Sequence, residues 1–153
     1  MRPLPLSAFT KERAAALKAV FADVDHTCTD MSGKFDERLF YALKNFSDAG
    51  LKTALATGRS AAFALALRRY IPYIEGVVCE NGAIYYPVAP PERPEFLRPG
   101  LRGSKHRIEL EAAFAEIKAV YPKLARTDDD AFRLTEIAVV KEPWITRSDI
   151  DAM

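Results

Sequence analysis

Two carboxylates stand two residues apart in the stretch VFADVDHTCTD, residues 20–30, where Asp23 and Asp25 follow a short apolar run. Residues two apart on a strand point to the same side, roughly 6.5 Å from each other, so both side chains could flank one small group. Together with the hydroxyl of Thr27 they form a set of hard oxygen ligands that suits Mg²⁺. The ion would offset the repulsion between the two like charges and lower both pKa values.

Such a pair is suited to phosphoryl transfer. An Asp carboxylate can attack phosphorus to form an aspartyl-phosphate. A second carboxyl group, held protonated, can give its proton to the leaving oxygen and then take one from water. The spacing therefore predicts a nucleophile and an acid/base around one phosphoryl group, although a solvated turn explains a short acidic motif equally well.

A complementary anion site is predicted at Thr57–Ser60, sequence TGRS. The hydroxyl of Thr57 and the N–H groups of Gly58 and Arg59 open a predicted helix, and helix N-termini bind anions. A loop ending in an N-cap at Ser60 is the structural alternative for the same four residues.

The elements around these motifs alternate as strand, helix, strand, helix and strand, which predicts an α/β fold with a parallel, Rossmann-like sheet and helices on both faces. The carboxyl ends of such strands meet at one edge, where ligands bind. Asp23, Thr57 and Asn81 each follow a predicted strand. The predicted strands are a buried strand over 19–22 and further strands over 51–56, 75–79 and 83–86. The predicted helices are 10–18, 36–50 and a well-buried 61–70, and the second of these has Asp36 at its positive N-terminus and Gly50 at its C-terminal end.

The composition changes at Pro87, where residues 87–105 hold five of the ten prolines and are predicted to form a connector. Its basic residues and those just after it are expected to be solvated rather than to bind substrate; they are Arg93, Arg98, Arg102, Lys105 and Arg107. An amphipathic helix is predicted over 106–122, a strand over 132–140 and a capping box over 146–149. The acidic run 128–130 is predicted to be a solvated loop. We divide the chain into a core, residues 1–86, and a connector with a partial α+β cap, residues 87–153.

Composition excludes several classes of partner. The 153 residues carry a net charge of +1, which favours neither nucleic acid nor a membrane surface. We find no apolar stretch of the roughly 20 residues that span a bilayer, and no secretory leader. Two widely spaced cysteines, Cys28 and Cys79, predict free thiols in the cytoplasm.

The stretches VFADVDHTCTD, LKTALATGRS and VVCENGAIYY resemble the motifs of the haloacid dehalogenase-like (HAD) phosphatases. The order of elements is similar to type IIB, which carries an α/β cap after the third strand, and within it to the phosphoglycolate phosphatase and sucrose-phosphate phosphatase branch. The resemblance covers roughly residues 18–153. It implies a Mg²⁺-dependent phosphatase that acts on a small phosphorylated metabolite, of the phosphoglycolate or sugar phosphate class, through an aspartyl-phosphate.

The resemblance also implies roles for individual residues. Asp23 is expected to be the nucleophile and a Mg²⁺ ligand. Asp25 is expected to be the acid/base and to bind Mg²⁺ through its main-chain carbonyl. Thr57 is expected to hold the phosphoryl oxygens with help from Gly58 and Arg59, and Asn81 is expected to line the mouth of the site.

The chain departs from the family pattern in three places. His26 stands where the family usually has glycine. No lysine or GDxxND-type motif follows the cap, and Lys141, inside the predicted cap strand, is not assigned the lysine's role. The chain is thus expected to be incomplete, to leave an apolar sheet edge open, and to have little activity alone. Its expected partners are a second chain, a missing C-terminal half or a second copy.

The sequence leaves two functions other than an enzyme to consider. A receiver-type signalling module also has a phosphorylated Asp, but it places that residue after the third strand, where this chain has Cys79, Glu80 and Asn81. A truncated HAD-like module that binds phosphate or a partner without turnover fits the absent motifs.

Overall fold

The computed structural model of the chain describes residues 5, 8–88, 93–101 and 104–152. The predicted α/β class is confirmed. Parts of the predicted connector, residues 89–92 and 102–103, lie outside the described residues. The elements are α1 (Lys11–Ala16), β1 (Ala19–Asp23), α2 (Glu37–Asp48), β2 (Lys52–Ala56), α3 (Ala61–Tyr70), β3 (Gly76–Cys79), β4 (Ile84–Pro87), β5 (Glu95–Phe96), α4 (Ser104–Val120) and α5 (Arg147–Ala152).

The five strands form one mixed sheet in the order β1-β2-β3-β4-β5. β1, β2 and β3 are parallel, with Asp23 paired to Ala56 and Ala56 paired to Val78. β4 and β5 continue the sheet in antiparallel orientation. Both crossovers step in the same direction, so right-handed connections place α2 and α3 on the same face of the sheet.

Local signals set the helix ends, as predicted. The Asp36 side chain accepts a hydrogen bond from the N–H of Arg38 (2.8 Å) at the start of α2, and Gly50 follows the helix with φ +75°. The Ser60 side chain accepts one from the N–H of Phe63 (3.4 Å) at the start of α3.

The hydrophobic core lies between the sheet and these two helices. Leu55 and Val77 of the central strands are fully buried against Leu43 of α2 and Leu67 of α3. α3 is buried on one side only, because Leu65 on the same helix is 43% exposed. The prediction that this helix is buried nearly all round is therefore wrong.

β1 is the edge strand of the sheet described. It pairs with β2 on one side, and its residues are exposed or half-buried. Phe21 is 72% exposed, on the face that also carries Ala54. The predicted open apolar edge is observed, whereas the prediction of a buried first strand is wrong, because β1 has one strand neighbour within the described residues.

The second half contains the largest departures from prediction. α4 is confirmed, and so is the capping box, since the N–H of Thr146 donates to Asp149 (2.8 Å) and the N–H of Asp149 to Thr146 (3.3 Å). Residues 132–140 do not form the predicted strand and contribute one isolated bridge, Val139 to Arg126. The N–H groups of Leu134 and Thr135 donate to the carboxylate of Glu80 instead of to a neighbouring strand.

The acidic run is not a solvated loop. Asp130 is 2% exposed and accepts hydrogen bonds from the N–H of Ala138 (2.8 Å) and from Arg126 (3.2 Å). Arg107, which was expected to be solvated, donates a hydrogen bond to the same carboxylate at 3.4 Å.

Among the residues whose structure is described, no helix is long and apolar enough to cross a lipid bilayer.

Candidate active site

Three strand ends meet at one edge of the sheet, as the sequence predicts. Asp23 is the last residue of β1 and is exposed. Thr57 follows β2, and its N–H donates to the carbonyl of Val78 in β3 (2.9 Å). Asn81 follows β3 in a short 3₁₀ turn. The parallel register therefore brings residues that are far apart in sequence to one site.

A tight turn after β1 positions Asp25. His26 has φ +62°, a left-handed conformation that costs an L-residue roughly 1–2 kcal/mol. The turn is stabilised because the N–H of His26 donates to the hydroxyl oxygen of Thr29 (2.9 Å) and the N–H of Thr29 donates to the carbonyl of Val24 (3.0 Å). The residue that replaces the family's glycine thus adopts a glycine-like backbone.

The Asp25 carboxylate is paired with the guanidinium of Arg59 in a two-point contact, with Nη2 to Oδ1 at 2.7 Å and Nε to Oδ2 at 3.1 Å. The hydrogen bond from Arg59 lowers the pKa of Asp25, and the same bond raises the pKa of Arg59. Both side chains are half-exposed, so the pair contributes little to stability. Its importance is geometric, because it joins the ends of β1 and β2 across the site.

The backbone donors at the start of α3 are already engaged. The N–H of Arg59 donates to Thr57 Oγ1 (3.1 Å), that of Ser60 to Asp129 Oδ2 (3.1 Å), and that of Ala61 to Glu80 Oε1 (2.9 Å). The prediction that the Arg59 N–H is open to an anion is therefore wrong. Thr57 Oγ1 keeps its own proton to donate, on a side chain that is 6% exposed, and the Arg59 guanidinium is half-exposed and paired with Asp25.

Glu80 is a buried carboxylate that sequence reasoning missed. It is 1% exposed and has φ +47°, and Asn81 beside it has φ +53°. Besides the N–H of Ala61, its oxygens accept from the N–H groups of Leu134 and Thr135 and from the Thr135 hydroxyl. Buried charge is tolerated where it is fully hydrogen-bonded, and this carboxylate ties α3 to the segment that follows α4.

Arg133 is a second missed residue. It is 8% exposed, and its Nη1 donates to the carbonyl of Gly58 (2.8 Å). Asp129 and Glu136 pair with the same guanidinium. Glu136 also accepts from Asn81 Nδ2 (2.8 Å), and Asn81 Oδ1 lies 3.1 Å from where a Cβ on Gly58 would sit. Glycine at position 58 therefore permits the close approach of Asn81.

An open cleft of about 470 Å³ runs between the strand ends and the segment after α4. Asp25, Gly58 and Arg59 line it together with residues from the second half, whereas Asp23, Thr57 and Asn81 are not among its lining residues. The residues from the second half are Thr127, Asp128, Asp129, Arg133 and Val140.

The donors at this edge are oxygen atoms of the kind that bind hard cations such as Mg²⁺. Asp23 and Asp25 supply hard carboxylate oxygens at an accessible strand end, and Mg²⁺ is commonly held by one or two carboxylates while it keeps several waters. Among the residues whose structure is described, no group of three or more His, Cys, Asp or Glu side chains is arranged to hold a metal ion. An all-protein metal cage is thus not present in that part of the chain.

The first half of the chain is similar in sequence to a known family. A family model described as haloacid dehalogenase-like hydrolase matches residues 20–89, the part of the chain that carries the predicted motifs. A curated phosphoglycolate phosphatase from Methanothermobacter thermautotrophicus is 25% identical over 126 residues, which are 82% of this chain and 52% of that protein. The chain therefore spans about half the length of the curated relative it matches.

Solved structures share the fold. A protein from Thermoplasma acidophilum superposes with a TM-score of 0.67 at 17% identity, over 89% of this chain and 54% of that one. A phosphatase of the haloalkanoate (HAD) superfamily from Bacteroides thetaiotaomicron superposes with a TM-score of 0.53 at 22% identity, over 90% of this chain and 47% of that one. At these identities the likeness establishes the architecture.

The residues that sequence reasoning missed left weak signals. Glu80 lies directly before the Asn81-Gly82 turn that the pattern singles out, and the acidic run 128–130 is followed at once by Arg133 and Glu136. Alternating charges of this kind are usual on solvated surfaces, so their spacing alone does not distinguish a buried network from a loop.

Proposed function

We propose that the chain carries the nucleophile and phosphate-binding parts of a Mg²⁺-dependent phosphatase that hydrolyses a small phosphorylated metabolite through an aspartyl-phosphate. The observation that supports this most is the contact of Asp25 with Arg59, because it brings the acidic motif after β1 and the TGRS loop after β2 together on one side of the cleft. The match of residues 20–89 to a hydrolase family supports the same reaction class.

The residues divide the work as follows. Asp23, exposed at the end of β1, attacks phosphorus and is phosphorylated. Asp25 protonates the leaving oxygen and then takes a proton from the water that hydrolyses the aspartyl-phosphate. Thr57 and Arg59 hold the phosphoryl oxygens. Asp23 and Asp25 would hold the Mg²⁺ ion, which when bound supplies positive charge that offsets repulsion between carboxylate and phosphate.

The substrate is proposed to be small. A cleft of about 470 Å³ lies near the lower end of the range for small-molecule sites. The likeness to a phosphoglycolate phosphatase supports phosphoglycolate as one candidate, and a sugar phosphate is the other. We assign residues 1–86 to the core and residues 87–153 to the connector and part of a type IIB cap. The free cysteines Cys28 and Cys79 support a reducing compartment such as the cytoplasm.

One observation favours a second candidate, a HAD-like module that binds phosphate or a partner without turnover. The edge strand β1 is open and carries the exposed Phe21, and the chain spans about half of its curated relative. An open edge pairs readily with another strand. Such a module would require a second chain, further C-terminal sequence or a second copy before it turns over substrate.

Hydrolysis of p-nitrophenyl phosphate by the purified chain tests the enzyme directly. We expect release of nitrophenol that requires Mg²⁺, stops with EDTA and falls by about 10³-fold or more in Asp23→Asn, since a nucleophile is removed. Asp48→Asn, at an exposed position at the end of α2, is the matched control and should keep the rate. A rate indifferent to EDTA and to Asp23→Asn would refute the phosphatase, and no rate in any variant would favour the binding module.

A further inference from the structure

We propose that Arg133 is a positioning residue: from the segment after α4 it holds the Gly58 carbonyl, and through that peptide it orients the Thr57 hydroxyl toward the phosphate. The inference rests on the proposed function, because it concerns the phosphate site of the same reaction. Arg133 acts through the Gly58 peptide and does not itself touch the phosphate.

The guanidinium of Arg133 is held in one orientation. Its Nη2 donates to both carboxylate oxygens of Asp129, at 3.2 and 3.1 Å, and Glu136 contacts Nη1 from another side. The side chain is 6% exposed, so water does not compete for these contacts. Nη1 also donates a hydrogen bond to the Gly58 carbonyl oxygen at 2.8 Å. A buried, doubly paired cation therefore presents one hydrogen bond to the loop after β2.

That hydrogen bond constrains the donor on the other side of the peptide. The Gly58 carbonyl and the Arg59 N–H belong to one planar trans unit, so they point in opposite directions and rotate together. The Arg59 N–H donates to Thr57 Oγ1 (3.1 Å), which occupies a lone pair of the hydroxyl oxygen. The hydroxyl proton is thereby directed away from the Arg59 N–H, and a phosphate oxygen is its proposed acceptor.

Asp129, the ion-pair partner of Arg133, contacts the peptide on the other side of Arg59. Asp129, which is paired with Arg133, accepts from the N–H of Ser60 (3.1 Å), the N-cap residue of α3. The hydrogen bond from Thr127 and that from the Ser60 backbone hold the pKa of Asp129 low although burial raises it. Arg133 and Asp129 thus fix both ends of the Arg59 residue that the proposed function places against phosphate.

The test measures binding of inorganic phosphate to the full chain in the presence of Mg²⁺, by amide-detected NMR titration, so that turnover is not needed. Arg133→Gln should weaken phosphate about tenfold, the usual effect of losing one hydrogen bond to a charged group. Arg133→Lys should recover part of the affinity, because it keeps the charge but not the planar fork. In both variants the carbonyl ¹³C shift of Gly58 and the amide ¹⁵N shift of Arg59 should change without phosphate.

Arg126→Gln is the matched control. Arg126 pairs with Glu111 and Asp130 in the neighbouring charge cluster and makes no hydrogen bond to Gly58 among the contacts described. It should bind phosphate within about twofold of the wild type and leave the Gly58 and Arg59 shifts unchanged, even where its melting temperature falls as much as that of Arg133→Lys. If Arg133→Gln does not fold, Arg133→Lys carries the comparison.

Thr57→Val separates the inference from the proposed function. Weakened phosphate in Thr57→Val together with wild-type affinity and unchanged shifts in Arg133→Lys would overturn this inference and leave the phosphate site in place. Unchanged binding in Thr57→Val, or no binding to the wild type, would overturn the phosphate site and this inference with it.

Discussion

Residues 19–88 and residues 121–146 are held in place by different interactions. In the first region parallel strands and two helices enclose a core of fully buried aliphatic side chains. In the second region regular structure is scarce, and ion pairs and side-chain hydrogen bonds to the backbone replace it. The first region positions the predicted catalytic residues, and the second closes the other side of the cleft.

The two sides of the cleft are thus stabilised differently, one by a hydrophobic core and the other by a network of ion pairs and hydrogen bonds. A hydrophobic core tolerates many combinations of apolar side chains of similar total volume. The spacing of apolar residues along the sequence is therefore enough to predict it. A buried ionic network requires particular partners, because a charge left without one is costly. The second region should therefore respond to single charge changes and to pH, and the first region to changes of volume.

The largest effect is expected in the core of the first region. Leu67→Ala removes a side chain that is 5% exposed, whereas Leu65→Ala changes one that is 43% exposed on the same helix. We expect Leu67→Ala to lower the free energy of unfolding by about 2–5 kcal/mol and Leu65→Ala to change it by less than about 1 kcal/mol. Urea denaturation followed by circular dichroism measures both. Equal losses would mean that α3 is packed on both sides.

The second largest effect is expected at Glu80, whose carboxylate connects the two regions. Glu80→Gln replaces a fully hydrogen-bonded buried carboxylate by an amide whose two N–H donors face the backbone donors of Leu134 and Thr135. We expect a loss of about 2–4 kcal/mol in the free energy of unfolding, since buried donors lose their acceptors. Glu116→Gln, on the exposed side of α4, is the control. A loss no larger than in the control would separate the second region from the first energetically.

Acid should loosen the second region before the first. The hydrogen bond from Arg126 lowers the pKa of Glu111 to about 2, and Asp129 also has a lowered pKa. A carboxylate with a depressed folded-state pKa stabilises the fold above its unfolded value and loses that contribution as pH falls through the folded one. Between about pH 4.5 and pH 2, amide exchange in residues 121–146 should therefore accelerate more than in residues 52–79. Uniform acceleration would contradict the distinction.

The smallest effect concerns the turn after β1. His26 has φ +62°, so His26→Gly should raise the free energy of unfolding by up to about 1 kcal/mol by removing the left-handed strain. Gly50→Ala, at φ +75°, should lower it by a similar amount. Thermal melts of the two variants give the comparison. A destabilised His26→Gly would show that the histidine side chain, and not its backbone, stabilises the turn.

The sequence was informative where local chemistry decides the structure. The strand ends with Asp23, Thr57 and Asn81, the caps at Asp36 and Ser60 and the order of the elements follow from short-range patterns. The helix over Ser104–Val120 was predictable for the same reason. These features depend on spacing and on capping residues, which a single sequence displays directly.

The second region was not predictable because its partners are distant. Residues 132–140 alternate like a strand, but Glu80, more than 50 positions earlier, takes the N–H groups that a strand would need. Arg133 bonds to Gly58 across a separation of 75 residues. The positions of charged residues in a sequence do not show which distant residues they pair with. For this reason the acidic run 128–130 was predicted to be a solvated loop, although Asp130 is buried.

Trapping of the covalent intermediate tests the central claim, that Asp23 attacks a phosphoryl group held by Thr57 and Arg59. The chain is incubated with an aryl phosphate and Mg²⁺, quenched in acid and analysed by peptide mass spectrometry. The account predicts one phosphoryl group on the peptide that contains Asp23 and none in Asp23→Asn. It predicts more in Asp25→Asn, because an aryl oxide leaves without a proton from Asp25 whereas the water that removes the phosphoryl group is no longer activated. Phosphate release without that adduct, or an adduct on another residue, would contradict it.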